Sequence, residues 1–493
     1  MIVLTPVSPS PLHEAEDARL RSIARSFSER DDRFRAKREE YAELLPETTP
    51  GADVAALHVD DFSVIPHLQH ILAVEQYPSR AFVRARDCDM VAGTFAPIPG
   101  YPDYLSGHLG LGRSTYCRVS PAPDKLIYAT FAALFEDDRA QAEIAAWARD
   151  RSDEVWVHPY MGHEWVWRYA RLLAQHCGRS VRVLGPLPVI TERANDKLWF
   201  AEVVRSVLAP ENALATCAGR SPEEIARLLH EMATDSPRVA LKLVNGASGM
   251  GTGIFAQQEI LGLSPQSLQA RVTAWLSEME WEPDDQPISV ERWETNVLGS
   301  PSVQLWLPPI GEGTPLMEGI FDQLFYPEQE HVFLGSVPSR LPAPVRNAVG
   351  EACVRIGRVF QYLGYVGRCS FDTILCGQDL TTVTIKLTEC NGRWGGTSTP
   401  MSLMNRLFGD YRTQPYISRD FVDPCLEGVP FDAFARRLDD ILYRRSNGRG
   451  WAIVYNVGCL QPAGKLDILT LGDTLEAAEQ RQEEFRELVR SRF

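Results

Sequence analysis

The chain has 493 residues, and 65 Asp and Glu against 50 Lys and Arg leave a net charge of −15 at pH 7. This length allows several domains with their own cores, and the excess of acid argues against nucleic-acid binding as the main function. The 10 cysteines include no Cys-x-x-Cys pair, and no long apolar stretch occurs. We therefore expect a cytoplasmic protein with no zinc or disulfide framework and no membrane partner.

The first half of the chain alternates between helical and strand patterns. Residues 1–50 are rich in charge and include EAEDARLRSIARSFSERDDRFRAKREEYAELL, which predicts a helical extension. From residue 51 to 190, short apolar stretches such as DEVWVHPY alternate with helical stretches such as AQAEIAAWARD, which favours an α/β layer. In SPEEIARLLHEMA, Ser221 is a candidate N-cap, Pro222 a first helical residue and Glu224 a capping-box acid, so we predict a helix start there.

A lysine and a run of glycines follow in RVALKLVNGASGMGTGIF. Lys242 lies in an apolar strand pattern, and glycines follow at positions 246, 249, 251 and 253. The stretch lacks the lysine of a P-loop, and no helix pattern follows the glycines as a Rossmann motif requires. It predicts two strands joined by a glycine loop, whose backbone N–H groups could bind phosphate oxygens. A plain glycine-rich hairpin is the alternative.

The stretch KLTECNGRWGGTSTP carries polar residues at alternate positions. In a strand, Glu389, Asn391 and Arg393 would share one face, because strand side chains repeat every two residues. Upstream, Asp372 sits among apolar residues in CSFDTILC, and a buried carboxylate needs a partner. Two antiparallel strands joined by a turn at Gly377 would bring these oxygen atoms together as ligands that suit Mg²⁺. A polar surface strand is the alternative.

The chain closes with a strand-rich stretch and a helix. YNVGCLQPAGKLDILTL predicts a small hairpin, and the stretch after it predicts a helix capped near Asp473 or Thr474. Between the glycine loop and CSFDTILC, the stretch ISVERWE predicts an apolar strand that ends at Glu291 and Glu294.

Taken in chain order, these motifs resemble the ATP-grasp superfamily. The elements that carry the likeness are Lys197 in TERANDKLWF, Lys242 with its glycine loop, the acids after ISV, Asp372, and the Glu-x-Asn of TECN. The likeness is closest to ATP-grasp ligases with a pre-ATP-grasp domain, typified by the peptide ligase of the pheganomycin pathway. GRCSFD, TECNGRWGGTSTP and the C-terminal YNVGCLQPAGKLDILTLGDTLEAAE are similar to that group.

The resemblance implies an α/β (α+β) fold with four parts. After the N-terminal helical extension at 1–50, a pre-ATP-grasp α/β domain would occupy 51–190. An ATP-grasp core of two α+β subdomains that enclose ATP would follow at 191–410, and a small C-terminal α+β module would occupy 411–493.

The resemblance also implies nucleotide contacts. Lys197 and Lys242 would hold the α- and β-phosphates, and the glycine loop would close over them. The residues implied to bind the nucleotide are Lys197, Lys242, Gly246, Ser248, Gly249, Gly251, Glu291 and Glu294, of which the last two would meet the adenine and ribose at a hinge.

The metal set that the resemblance implies is the one that the strand pattern predicts: Asp372, Glu389 and Asn391 for Mg²⁺. Arg393 and Lys242 would be catalytic, because they would stabilise the transferred phosphoryl group. The residues implied to contact the acyl substrate are Arg368, Gly395, Gly396, Thr397 and Ser398.

The implied reaction joins a carboxylate to an amine through an acyl phosphate, with release of ADP and phosphate, in peptide natural-product biosynthesis. We expect ATP and Mg²⁺ as cofactors. The expected substrates are a small-molecule carboxylate, such as an amino acid, and an amine or peptide, and a homodimer is the assembly that the resemblance suggests. Two alternatives stay open: a kinase that phosphorylates a small molecule at the same site, and a nucleotide-binding scaffold without turnover.

Overall fold

The fold is built on three β-sheets. The computed structural model describes residues 12–51, 53–151, 154–246, 249, 251–282 and 286–493, except the side chains of residues 70 and 329–331. Among these residues no helix has the length and apolar character needed to cross a bilayer. All ten cysteines are free thiols.

The first sheet is parallel and lies in the N-terminal part of the chain. Its strands are β1 (Ala56–Val59), β2 (Met90–Gly93), β3 (Thr115–Arg118), β4 (Glu154–Pro159) and β5 (Ser180–Val183), in the order β3–β2–β1–β4–β5. The helices before and around it are α1 (Glu14–Arg30), α2 (Arg33–Glu40), α3 (Tyr101–Asp103), α4 (Thr130–Leu134), α5 (Asp138–Arg149), α6 (Glu164–Cys177) and α7 (Pro188–Ala194). This alternation of strands and helices confirms the predicted α/β layer.

The second sheet is antiparallel. It contains β6 (Thr216–Gly219), β7 (Arg238–Leu243), β8 (Thr252–Ala256) and β9 (Ile288–Arg292), in the order β6–β9–β7–β8. The helices of this region are α8 (Lys197–Val207), α9 (Pro222–Ala233), α10 (Gln257–Leu261) and α11 (Pro265–Glu278). Helix α9 confirms the predicted start: the Ser221 hydroxyl accepts a hydrogen bond from the Glu224 backbone N–H at 3.2 Å.

The third sheet has nine antiparallel strands. They are β10 (Val297–Gly299), β11 (Pro301–Leu307), β12 (Leu316–Tyr326), β13 (Gln329–Pro338), β14 (Gly367–Cys376), β15 (Thr384–Asn391), β16 (Tyr416–Val422), β17 (Ala452–Tyr455) and β18 (Lys465–Leu471). The order is β10–β14–β11–β12–β13–β16–β18–β17, and β15 pairs with β14. The remaining helices are α12 (Ala343–Tyr362), α13 (Ser398–Phe408), α14 (Phe431–Arg437), α15 (Leu460–Ala463) and α16 (Leu475–Arg492).

The C-terminal strands continue the sheet that begins at residue 297. Strand β16 pairs directly with β13, with Ser418 opposite Ser336. Helix α16 begins after Thr474, whose hydroxyl accepts from the Ala477 backbone N–H at 3.1 Å, which confirms the predicted cap. The strands on both sides of residue 410 therefore share one sheet. The division of the chain into four domains stays a prediction.

Helix α1 packs against α12, more than 300 residues further along the chain. Asp17 accepts hydrogen bonds from Arg358 Nε at 2.7 Å and from the Tyr362 hydroxyl at 2.5 Å. Leu20 and Phe27 are buried in the same core as the apolar face of α12. The N-terminal helix is therefore part of the body of the protein.

Asp467 on β18 is a buried carboxylate directly opposite Asp420 on β16. Lys465 Nζ lies 2.8 Å from the Asp420 carboxylate. Burial, and then the charge of Asp420, raise the pKa of Asp467 to about 7. Between about pH 4 and pH 7 the folded protein holds a proton here that the unfolded chain has released, so stability from this group falls as pH rises.

We expect Asp467→Asn to remove this pH dependence. The wild-type free energy of unfolding should fall relative to that of the variant by about 1.4 kcal/mol for each pH unit in this window. Urea unfolding of both proteins at several pH values between about 4 and 8 measures the difference. Parallel curves for the two proteins would show that Asp467 does not titrate in this range.

Candidate functional site

A cavity of about 540 Å³ lies between the four-stranded and nine-stranded sheets. Its wall includes residues from β7, β8 and β9 and from β11 to β15. The residues of the sequence prediction that line it are Lys197, Lys242, Gly246, Gly249, Glu291, Glu294, Asp372, Glu389, Asn391, Arg393, Gly395, Gly396 and Thr397. Most of the predicted set therefore meets at one place, although its members are up to 200 residues apart in the chain.

The predicted pairing of two acid-bearing strands is confirmed. In the β14–β15 ladder Asp372 lies opposite Glu389, and Ser370 lies opposite Asn391. Asp372 accepts hydrogen bonds from Asn391 Nδ2 at 3.0 Å and from the Ser302 hydroxyl at 2.6 Å. Because Nδ2 of Asn391 faces Asp372, its Oδ1 is the atom left for a cation.

The two carboxylates differ in their electrostatic surroundings. Burial, and then the neighbouring Glu389, raise the pKa of Asp372 to about 6. Burial also opposes the charge on Glu389, but Lys197 and Lys242 hold the pKa of Glu389 below its ordinary value. Two acids and an amide oxygen in this arrangement are a donor set that fits Mg²⁺, whose charge would balance both carboxylates.

Two lysines of the cavity wall, and Lys386 on β15, are each paired with an acid. Lys197 Nζ lies 3.0 Å from Glu389 Oε2, and it donates to the Gly246 carbonyl at 2.9 Å. The other two pairs are Lys242 with Glu291 at 2.7 Å and Lys386 with Glu294 at 2.5 Å. Sequence reasoning missed Lys386, which faces Glu294 from the neighbouring sheet.

Glu291 is 2% exposed and holds Lys242 in place. It also accepts a hydrogen bond from the Ser289 hydroxyl at 3.0 Å. Burial disfavours the charged form of Lys242, but Glu291 and then Glu389 together more than offset this, so the pKa of Lys242 is raised. The predicted hinge acid therefore contacts a predicted phosphate-binding lysine, and Trp293 lies nearby with its ring centroid 5.5 Å from Lys242 Nζ.

The glycine loop joins β7 to β8 as predicted, with Lys242 opposite Thr252. Gly249 and Gly251 have φ angles of 74° and 71°, a region that favours glycine. A Cβ at Gly251 would lie 2.5 Å from Leu243 Cδ1, and Gly251 does not line the cavity. Ser248 lies outside the described residues.

Arg393 is held by a residue that the sequence analysis overlooked. Asn195 Oδ1 accepts hydrogen bonds from Arg393 and, at 3.1 Å, from the Gly392 backbone N–H. Asn195 Nδ2 donates to the Thr191 carbonyl at 2.7 Å, which fixes the orientation of the amide. The only sequence signal was the position of Asn195 two residues before Lys197.

Two predicted substrate residues lie outside the cavity wall. Ser398 begins α13, and its hydroxyl accepts from the Gly395 backbone N–H at 2.7 Å, so it shapes the loop. Arg368 donates to Glu318 at 2.6 Å, and its Cζ lies 4.4 Å from the Trp394 ring centroid. Arg368 is therefore engaged in a half-buried ion pair.

The backbone is similar to that of several solved enzymes. A complex of N5-carboxyaminoimidazole ribonucleotide synthetase with ADP has a TM-score of 0.52 at 10% identity, over 91% of this chain and 98% of that chain. Biotin carboxylase from Campylobacter jejuni, in a β,γ-ATP complex, has a TM-score of 0.52 at 13% identity, over 87% of this chain and 89% of that chain. Carboxyaminoimidazole ribonucleotide synthase from Aspergillus clavatus, complexed with ATP, has a TM-score of 0.51 at 13% identity, over 90% and 99%.

At these identities the similarity concerns the fold and not the reaction. No protein-family model matches the sequence, and no curated protein matches it either. The backbone similarity covers about nine tenths of the chain and agrees with the predicted class. The chain therefore has the ATP-grasp fold.

Proposed function

We propose that the chain is an ATP-dependent carboxylate–amine ligase. The observation that carries this proposal is the meeting of Asp372, Glu389 and Asn391 from two paired strands in one cavity with Lys197 and Lys242. Oxygen ligands beside two cations are the groups that a magnesium nucleotide needs. The ADP and ATP complexes of the enzymes with similar folds support the same assignment.

In this proposal each group of residues binds one part of the nucleotide. Lys197 and Lys242 hold phosphate oxygens, and the backbone of the loop at Gly246 and Gly249 covers them. Glu291, on β9, and Glu294, two residues after β9 ends, would meet the adenine and ribose. Asp372, Glu389 and Asn391 would hold Mg²⁺, which would neutralise phosphate charge and orient the triphosphate.

The chemistry follows from the poor reactivity of a carboxylate towards amines. An oxygen of the acid substrate attacks the γ-phosphate, which gives an acyl phosphate and ADP. The amine then attacks the acyl carbon, and phosphate leaves. Arg393 and Lys242 stabilise the charge of the transferred group, and the backbone at Gly395 and Gly396 allows close approach. The glycine loop excludes water, which would otherwise hydrolyse the intermediate.

The resemblance to the pheganomycin-type peptide ligases supports a narrower proposal. The acid would be an amino acid or a modified amino acid, and the amine would be an amino acid or a peptide. The predicted domains at 51–190, 191–410 and 411–493 and the homodimer belong to this narrower proposal.

A substrate screen tests the proposal. Pairs of amino acids and short peptides are incubated with ATP and Mg²⁺, and both ADP and masses one water lighter than the sum of the pair are followed. A ligase requires an acid and an amine together for ADP release. If a single hydroxyl compound gives ADP and a stable phosphorylated product, the protein is a kinase and not a ligase. The absence of turnover with any pair would favour a nucleotide-binding scaffold.

Asn195→Ala is expected to lower turnover about tenfold, because Arg393 loses the acceptor that orients it. The KM for ATP should change little, since Lys197 and Lys242 remain in place. Steady-state kinetics of ADP release measure both constants. A change in KM alone would show that Asn195 acts on nucleotide binding.

A further inference from the structure

The strand order of the parallel sheet reverses between β1 and β4. In open α/β sheets, ligands bind outside the carboxyl ends of the strands at such a switch point. Here β1 continues into Asp60 and Asp61, and β4 continues into Tyr160. Tyr160 also lines the main cavity, and its carbonyl accepts from the Trp394 backbone N–H at 3.0 Å. The space outside these two strand ends, called here the crevice, therefore adjoins the proposed ligase site.

Buried polar atoms without a hydrogen-bond partner collect around this crevice. Within the described part of the chain they include the Tyr128 hydroxyl, the Thr130 hydroxyl, Arg80 Nε and both ring nitrogens of His163. His163 Nε2 lies 3.6 Å from Asp61, and the Tyr128 ring stacks 5.0 Å from Phe62. Most buried polar groups in proteins are hydrogen-bonded, so these atoms need partners that the described residues do not supply.

Arg80 is the cation of this crevice. It is 9% exposed, and its Cζ lies 4.7 Å from the Tyr77 ring centroid and 5.7 Å from that of Tyr160. Its Nε is buried and has no hydrogen-bond partner among the described residues. Burial opposes its charge, but Tyr160, Asp467 and Asp60 raise its pKa, so the guanidinium is charged. A buried N–H without an acceptor is unfavourable unless a ligand supplies one, and the Arg80 Nε–H is such a group.

The cations near Arg80 already have partners. Arg84 pairs with Asp60, and Lys465 pairs with Asp420. Arg80 thus differs from its neighbours and is the group left to bind an anion. The nearby acids would repel a doubly charged phosphate more than a singly charged carboxylate, and a carboxylate matches the planar fork of a guanidinium.

We propose that this crevice, named the Arg80 crevice, binds the amine co-substrate through its carboxylate, with Arg80 as the specificity-determining residue. The inference rests on the proposed ligase function. It identifies the co-substrate as an amino acid or peptide that carries a free carboxylate, and not as a simple amine. Tyr160, which borders both the crevice and the cavity, places the bound amine beside the loop at Gly395 and Gly396.

Ligand-detected NMR on the full chain without ATP tests the assignment. The probes are the common amino acids and glycine-containing dipeptides, each beside its methyl ester. At least one free acid should bind, and the affinity of its ester should be at least about tenfold lower. Arg80→Gln should lower the affinity for the acid about 10- to 100-fold and leave the affinity for the ester unchanged. Arg80→Lys should give an intermediate loss, because it keeps the charge but not the fork.

The matched control is Arg113→Gln, which removes an exposed arginine paired with Asp103 and should leave binding unchanged. The affinity for MgADP should also be unchanged in both Arg80 variants, which shows that they fold. If the Arg80 variants also lose MgADP binding, the comparison of acid and ester binding to the wild-type protein decides whether the site recognises a carboxylate. The assignment is overturned if acid and ester bind equally well, or if no compound binds in a way that depends on Arg80.

The outcomes also separate this inference from the ligase proposal. If amines that lack a carboxylate support ADP release at the rates seen with amino acids, the ligase proposal is supported and the proposed role of Arg80 is contradicted. If a carboxylate binds in a way that depends on Arg80 but no pair of substrates gives ADP, the carboxylate site is supported and the ligase proposal is contradicted.

Discussion

Glu389→Gln is expected to abolish ADP formation while leaving the fold intact. The substitution removes one carboxylate from the proposed Mg²⁺ set and the partner of Lys197, which lies 3.0 Å away. Loss of such preorganised charge commonly lowers turnover by about a thousandfold, or about 4 kcal/mol of transition-state stabilisation. The measurement is ADP release with an acid and amine pair from the screen, beside circular dichroism of the variant.

The matched control for this variant is Glu259→Gln, which removes an exposed acid that pairs with Arg271 outside the cavity. It should keep wild-type turnover. Wild-type turnover in Glu389→Gln would show that Glu389 is not needed in the proposed metal site. It would thereby contradict the proposal, which depends on that site.

Lys242→Met is expected to impair both stability and catalysis. It leaves the Glu291 carboxylate buried, and among the described residues the Ser289 hydroxyl is then its one side-chain donor. Breaking a buried ion pair by removing one partner lowers the free energy of unfolding by about 3 kcal/mol. The loss of a cation proposed to bind phosphate should also lower turnover at least about a hundredfold. Urea unfolding and ADP release measure the two effects.

The double variant Lys242→Met with Glu291→Gln separates these effects. It removes both charges of the pair, so stability should return towards the wild-type value while turnover stays low. Recovery of turnover in the double variant would show that Lys242 serves the fold and not the nucleotide.

The parts of the site that the sequence predicted depend on short-range patterns. Alternation in TECNGR and the buried setting of Asp372 were enough to predict that two strands pair, because the turn between them is short. The cap at Ser221 and the two strands around the glycine loop are local in the same sense. The ATP-grasp fold itself was recognised from the order of these motifs, through resemblance.

The contacts that were missed join residues far apart in the chain. Asn195 meets Arg393 across 198 residues, and Lys386 meets Glu294 across 92. No pattern within a short window shows which distant elements will meet. The unpartnered Nε of Arg80 was equally invisible, because it depends on what surrounds the side chain in three dimensions.

The pairing of β13 with β16 has a consequence for dissecting the protein. A fragment that ends near residue 410 would lose β16 and expose the backbone of β13 as an open sheet edge. Unprotected edges invite pairing with other chains and aggregation. The part of the chain that carries the candidate site is therefore best studied in the intact chain, since the strands that follow it cover this edge.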